Sequence, residues 1–169
     1  MTDLTLFDSS AELKYRTYLF DFDGTLVDSM PHYASLMLRI LEENNVMATL
    51  EELKRRGADL YVLTASPHSV LDVCLQRLGL FDLFSNVWSC DDFHTTKADP
   101  RIYQMAAERI GKPVEEILFL DDNYHADRTA ASAGMKVCGV YDPTSKEYVE
   151  DMKRVSDHYI YDFSELLTL

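Results

Sequence analysis

The sequence predicts an α/β fold in which helices cover both faces of a doubly wound parallel sheet. Short apolar segments, typical of buried strands, alternate along the chain with amphipathic segments typical of helices. The 169 residues contain no internal repeat and no low-complexity tract, and this length suits one domain. We therefore expect a single core domain over residues 1–169, built as a three-layer α/β sandwich.

Each predicted strand is a short apolar run, and each predicted helix shows apolar residues at helical spacing. The strands are expected at residues 17–21, 59–63, 86–89, 117–120, 136–140 and, as an edge strand, 159–161. The helices are expected at residues 31–44, 48–56, 67–78, 99–110, 123–133 and 145–155. Proline is favoured in a first helical turn, as at Pro67, and four of the helices end directly before a glycine, a residue that commonly follows a helix: Gly57, Gly79, Gly111 and Gly134.

Composition excludes several classes of protein. The formal net charge of −13 argues against binding a nucleic-acid backbone and against docking onto an anionic membrane. The three cysteines, Cys74, Cys90 and Cys138, form no CxxC pair, so a disulfide framework or structural zinc site is not expected. The first 16 residues do not resemble a signal peptide, and no apolar run approaches the length of a membrane span. The expected location is the cytoplasm, where thiols stay reduced.

Polar side chains stand where the predicted strands end. In parallel sheets, ligands bind at the carboxyl ends of the strands, near the point where strand order reverses. These positions hold Asp21, Asp23, Thr64, Lys97, Asp121 and Asp122. Four carboxylates in one pocket repel each other unless a cation lies between them, and oxygen ligands suit Mg²⁺. Lys97, Thr64 and the backbone N–H groups near Ala65 can bind phosphate oxygens, and an aspartate can act as a covalent nucleophile.

Each of these residues also has a plainer interpretation. Asp, Gly and Thr all favour turns, so the DGT segment that follows Phe22 can be only a turn. The pair Asp121–Asp122 can be a helix N-cap. Lys97 alone is typical of a solvated surface lysine, and Thr64 alone of an ordinary strand-end residue. Their common placement at strand ends favours a shared site.

The motifs resemble those of the haloacid dehalogenase superfamily. FDFDGTLVDS at residues 20–29 resembles the first motif, YVLTAS at 61–66 the second, KADPRIY at 97–103 the third and FLDD at 119–122 the fourth. AASAGMKVCGV at residues 130–140 resembles the stretch that follows. The resemblance implies a parallel sheet in the order 5-4-1-2-3.

The resemblance also implies roles for single residues. Asp21 would be the nucleophile that attacks phosphorus, and Asp23 the general acid and then the base for water. Thr64, the backbone N–H of Ala65 and Lys97 would bind the phosphoryl group. The presence of an acid at Asp23 favours phosphate esters, because dehalogenases of the superfamily lack an acid at this position.

The same resemblance implies a Mg²⁺ site. Its ligands would be Asp21, the backbone carbonyl of Asp23 and Asp122, with Asp121 adjoining. Asp127 is a candidate for an indirect contact. Asp121 departs from the family pattern, where glycine is common.

The helical cap domain common in such relatives looks absent or much reduced. Thr64 follows Asp21 by only 43 positions, so residues 30–46 are expected to form a short helical cap remnant. Because specificity in the family lies mostly in the cap, the substrate stays open.

We therefore expect a Mg²⁺-dependent phosphomonoester hydrolase that acts through an aspartyl-phosphate. The alternatives are a phosphomutase or phosphotransferase of the same superfamily, and a catalytically weak phosphate-binding relative. A response-regulator receiver is disfavoured, because its acidic pair comes early in the chain. The expected partner is a small phosphorylated metabolite or a phosphorylated macromolecule, and a homo-oligomer stays open.

Overall fold

The computed structural model describes residues 11–27 and 45–169 and shows a six-stranded parallel sheet. The strands are β1 (Thr17–Phe20), β2 (Asp59–Thr64), β3 (Asn86–Ser89), β4 (Ile117–Asp121), β5 (Lys136–Val140) and β6 (His158–Ile160). Their order is β3-β2-β1-β4-β5-β6. This confirms the expected order of the first five strands, and β6 extends the sheet beyond β5.

Five α-helices connect or follow the strands in the described residues. They are α1 (Val46–Arg55), α2 (His68–Arg77), α3 (Arg101–Ile110), α4 (Tyr124–Ser132) and α5 (Val149–Val155). Buried residues of α1 and α2 pack against one face of the sheet, and those of α3 and α4 against the other. The three-layer α/β prediction is therefore confirmed.

Strand β1 shows how the sequence produces two cores. Side chains alternate between the two faces of a strand, so Tyr18 and Phe20 join the core beneath α1 and α2. Leu19 joins the opposite core, beneath α3 and α4. All three are at most 1% exposed, because β1 lies between β2 and β4 in the middle of the sheet.

The helix expected over residues 145–155 begins later than predicted. A 3-10 segment occupies Pro143–Tyr148, and α5 starts only at Val149. The side chain of Asp142 accepts a hydrogen bond from the backbone N–H of Thr144 and so caps the tighter 3-10 turn. Ser145 has non-helical backbone angles, which interrupts a continuous α-helix.

The edge strand is confirmed with a shift of one residue. The prediction was 159–161, whereas β6 covers His158–Ile160 and pairs in parallel with β5. Tyr161 leaves the strand because its backbone N–H donates to the Glu165 carboxylate, part of the cap of a 3-10 segment at Phe163–Thr168.

The predicted helix 31–44 lies outside the described residues, as does all of the expected cap remnant 30–46 except Asn45 and Val46. The cap remnant therefore stays a prediction. In residues 11–27 and 45–169, no helix has both the length and the apolar character needed to cross a bilayer.

Candidate active site

One cavity of about 670 Å³ lies at the carboxyl ends of the central strands. The order of the strands reverses at β1, where ligand sites form in sheets of this type. All the residues predicted for the site line this cavity: Asp21, Asp23, Thr64, Ala65, Lys97, Asp121 and Asp122. The structure thus brings together side chains that come from four separate stretches of the chain.

The segment after β1 forms a tight turn over the site. The backbone carbonyl of Phe22 accepts hydrogen bonds from the N–H groups of Leu26 and Val27, at 3.0 and 3.1 Å. Gly24 has a φ of +82°, and a Cβ there would lie 2.4 Å from Oδ2 of Asp122. The plainer interpretation of this segment as a turn is therefore correct but incomplete, because the turn packs directly against a carboxylate of the site.

Lys97 is a buried partner of two carboxylates. Its Nζ donates to Asp21 Oδ1 and, at 2.9 Å, to Asp121 Oδ2. Its side chain is only 14% exposed, which excludes a solvated surface lysine. Burial acts to lower the pKa of Lys97, but the charges of Asp121 and Asp21 outweigh it and raise the pKa above its usual value.

The two carboxylates that Lys97 binds lie close to a third, that of Asp122. Oxygen atoms of Asp21, Asp121 and Asp122 all lie within 4.8 Å of one another. Burial, reinforced by the charge of Asp121, raises the pKa of Asp122 to about 7 and that of Asp21 well above its usual range. One ammonium group leaves the three carboxylates with uncompensated negative charge. The oxygen donors, their proximity and this excess charge fit a hard divalent cation such as Mg²⁺.

Hydrogen bonds from neighbouring residues orient two of these carboxylates. Thr25 Oγ1 donates to Asp122 Oδ1 at 3.1 Å, and the backbone N–H of Asn123 donates to Asp121 Oδ1 at 2.9 Å. The side chain of Asn123 accepts from the N–H groups of His125 and Ala126, so Asn123 is the N-cap of α4. The N-cap interpretation of Asp121–Asp122 is therefore wrong, and both carboxylates line the cavity.

Asp23 lies beside this cluster, half-buried, and Ser66 Oγ donates to its Oδ2. The hydroxyl of Thr64, at the end of β2, accepts from the backbone N–H of Ser66 at 3.1 Å. Its own O–H is then available to donate to a bound oxygen. The loop after β2 thus holds Asp23 on one side and presents a hydroxyl on the other.

Asp127 is fully buried on α4, and its two carboxylate oxygens find no hydrogen-bond partner among the described residues. Burial, with the charge of Asp121, raises its pKa well above the usual range. A direct hydrogen bond from Asp127 to the site is therefore not part of the structure.

Several contacts in and around the cavity were not predicted from the sequence. The hydroxyls of Thr25 and Ser66 bind the cavity residues Asp122 and Asp23, and the motifs that contain them gave no sign of these hydrogen bonds. His125, Arg128 and Thr129 of α4 line the cavity itself. They carry no sequence signal, since polar residues are ordinary on an exposed helix face.

The model of the haloacid dehalogenase-like hydrolase family matches residues 39–134, more than half of the chain. The chain belongs to this family. Its strand order agrees with the order that the resemblance implies.

Two curated relatives show how varied the family is. The pyrophosphatase PpaX of Bacillus velezensis is 32% identical over 101 residues, which are 60% of this chain and 47% of that protein. The (S)-2-haloacid dehalogenase of Pseudomonas sp. strain YL is 31% identical over 103 residues, or 61% of this chain and 44% of that protein. The chain thus matches about half the length of these relatives.

Solved structures agree on the fold. A predicted phosphoglycolate phosphatase from Haemophilus somnus 129PT superposes with a TM-score of 0.72 over 94% of this chain and 99% of that one. Its sequence identity of 21% supports a shared fold and no more.

Proposed function

We propose that this chain hydrolyses phosphate monoesters through a covalent aspartyl-phosphate on Asp21. The observation that supports this most is the position of Asp21, which shares a cavity with Lys97, Thr64 and Asp23 at the reversal of strand order. The two curated relatives act on different bonds, as their names state, so family membership alone does not choose the reaction.

Asp23 favours phosphate chemistry over dehalogenation. Loss of a halide needs no proton donor, whereas an alkoxide leaving group does. Asp23 lines the cavity within the same loop as Asp21, and the Ser66 hydroxyl holds its carboxyl group. This arrangement suits a general acid and base.

The proposed reaction has two steps. In the first, an Asp21 oxygen forms a bond to phosphorus while the bond from phosphorus to the ester oxygen breaks, and Asp23 gives its proton to that oxygen. In the second, Asp23 takes a proton from water as the water oxygen attacks phosphorus, and the bond to Asp21 breaks to release inorganic phosphate. The Thr64 hydroxyl, the Ala65 backbone N–H and the Lys97 ammonium would stabilise the negative oxygens of the phosphoryl group.

The carboxylate cluster fits Mg²⁺, which Asp21, Asp121 and Asp122 would hold. Bound there, the ion would neutralise charge on the phosphoryl oxygens. The same positive charge would lower the raised pKa values of Asp21 and Asp122 and favour the ionised nucleophile.

The experiment is release of phosphate from p-nitrophenyl phosphate by the wild type and by Asp21→Asn. An amide cannot attack phosphorus, so the variant should lose turnover while its circular dichroism and melting temperature remain those of a folded protein. EDTA should abolish wild-type activity and Mg²⁺ restore it. Ca²⁺ should substitute poorly, because it prefers more ligands at longer distances.

Two outcomes contradict the proposal. Wild-type turnover by Asp21→Asn would exclude Asp21 as the nucleophile, and full activity in EDTA would exclude a role for the metal in the reaction.

The alternative functions give different results in the same assay. A phosphomutase would transfer the phosphoryl group to an added sugar hydroxyl, with little release of inorganic phosphate. A phosphate-binding relative without turnover would bind phosphate and release none from any ester.

A further inference from the structure

One wall of the cavity is formed by a single face of α4. His125, Arg128 and Thr129 all line the cavity. Their spacing of three and four residues places them on the same side of the helix. This wall comes from α4, whereas the carboxylates come from the strand ends, and both border the same space of about 670 Å³.

Arg128 gives this wall a positive charge, in contrast to the excess of carboxylates at the strand ends. Lys97 already pairs with Asp21 and Asp121, so its charge is engaged within the site. In the part of the chain that the structure describes, no carboxylate lies within ion-pair distance of Arg128. Its guanidinium lies 5.7 Å from the centre of the Tyr124 ring, one helical turn earlier.

Because the whole protein is negatively charged, a positive side chain in the cavity matters for the binding of anions. With a net charge of −13, the chain repels anionic molecules at long range. An anion that enters the cavity needs a local cation, and a guanidinium offers paired N–H donors that match a carboxylate or a phosphate. A volume of about 670 Å³ is in the range that holds small molecules.

We infer that Arg128 binds a second anionic group of the substrate, a carboxylate or a phosphate carried by the leaving group. The inference rests on the proposed function, since it takes the first phosphoryl group to lie beside Asp21 and Lys97. The preferred substrates are then small phosphate compounds with two anionic ends. Arg128 is a specificity-determining residue and takes no part in the bond changes.

Binding of three inert ligands tests this without any turnover. Methylphosphonate carries one anionic group, phosphonoacetate adds a carboxylate, and methylenediphosphonate adds a second phosphonate. Their affinities for the wild type, Arg128→Gln and Arg128→Lys would be measured by calorimetry in saturating Mg²⁺. Chelation of Mg²⁺ by a ligand is the same for every protein and cancels when variants are compared.

We expect Arg128→Gln to lower the affinity for the ligands with two anionic groups about tenfold and to leave the affinity for methylphosphonate nearly unchanged. Arg128→Lys should recover part of the loss, because it keeps the charge without the paired donors. A loss confined to phosphonoacetate identifies a carboxylate, and a loss confined to methylenediphosphonate identifies a phosphate. Arg77→Gln is the matched control, since Arg77 is also exposed and does not line this cavity.

The inference is overturned if Arg128→Gln lowers the affinity for all three ligands equally or for none of them. It is also overturned if Arg77→Gln lowers the affinity for the ligands with two anionic groups as much as Arg128→Gln does. Hydrolysis of p-nitrophenyl phosphate, which has one anionic group, reports separately on the proposed function. If the wild type hydrolyses nothing and Arg128→Gln still shows the selective loss of binding, the second anion site is supported and the proposed phosphatase activity is wrong.

Discussion

Replacing Gly24 with alanine tests whether the turn after β1 positions Asp122. A Cβ at this position would lie 2.4 Å from Asp122 Oδ2 and 2.6 Å from its Cγ, whereas ordinary contact begins at 3.4 Å. The carboxylate or the turn must therefore move by about 1 Å, and a displacement of this size at a reacting centre can cost about 10²-fold in rate. The positive φ of +82° adds backbone strain of about 1–2 kcal/mol.

Gly111→Ala is the control that separates the clash from the strain. Gly111 has a nearly equal φ of +78°, but nothing lies within 4 Å of a Cβ built there. Both variants should melt about 2–8 °C below the wild type, because they share the backbone strain. Only Gly24→Ala should lose about 100-fold in kcat/KM for phosphate release, and it should need more Mg²⁺ for half-maximal activity.

Two results would refute this reasoning. If Gly24→Ala keeps wild-type kcat/KM at every Mg²⁺ concentration, the turn does not position Asp122. If Gly111→Ala loses activity to the same extent, the loss comes from strain or instability and the clash is irrelevant.

Two further predictions concern Asp23, the proposed general acid, and His68. Asp23→Asn should lower kcat for phosphate release about 10²–10⁴-fold, and Ser66→Ala, which removes the hydroxyl that binds Asp23, should lower it less. An Asp23→Asn variant as active as Ser66→Ala would exclude Asp23 as the general acid. His68 lies between Asp72 and Asp92, at 2.9 and 2.7 Å, and these hydrogen bonds raise its pKa above 6.5. Its stabilising contribution is therefore complete below pH 6.5 and lost as the pH rises through the raised value. His68→Gln should accordingly lower the melting temperature more at about pH 5.5 than at about pH 9, and an equal loss at both would contradict a charged histidine.

The elements that sequence patterns predicted well are those whose signals are local. β1 and β4 are apolar apart from Thr17 and Asp121 at their ends, as is typical of strands buried on both faces. The helix expected at 145–155 has the predicted end but a wrong start, because its amphipathic pattern gave no sign of the side-chain cap from Asp142 that favours a 3-10 turn.

The residues of the candidate site likewise divide into those that the sequence predicted and those that it did not. Asp21, Asp23 and Asp122 could be predicted because each follows an apolar strand in a specific motif. Arg128 could not be predicted, because the sequence pattern around an exposed helical arginine is the same whether the side chain lines a cavity or faces open solvent.

By itself, the sequence determined the alternation of strands and helices and the presence of acidic residues at the strand ends, because periodicity and turn chemistry act over a few residues. Only the tertiary structure decided that Lys97 pairs with Asp21, 76 positions away, and that Ser66 holds Asp23. It also decided that Asp21, Asp121 and Asp122 share one cavity and that the pKa values of Asp21 and Asp122 rise. These properties depend on distance and burial, which arise when parallel strands order themselves around β1 and bring remote segments to one edge of the sheet.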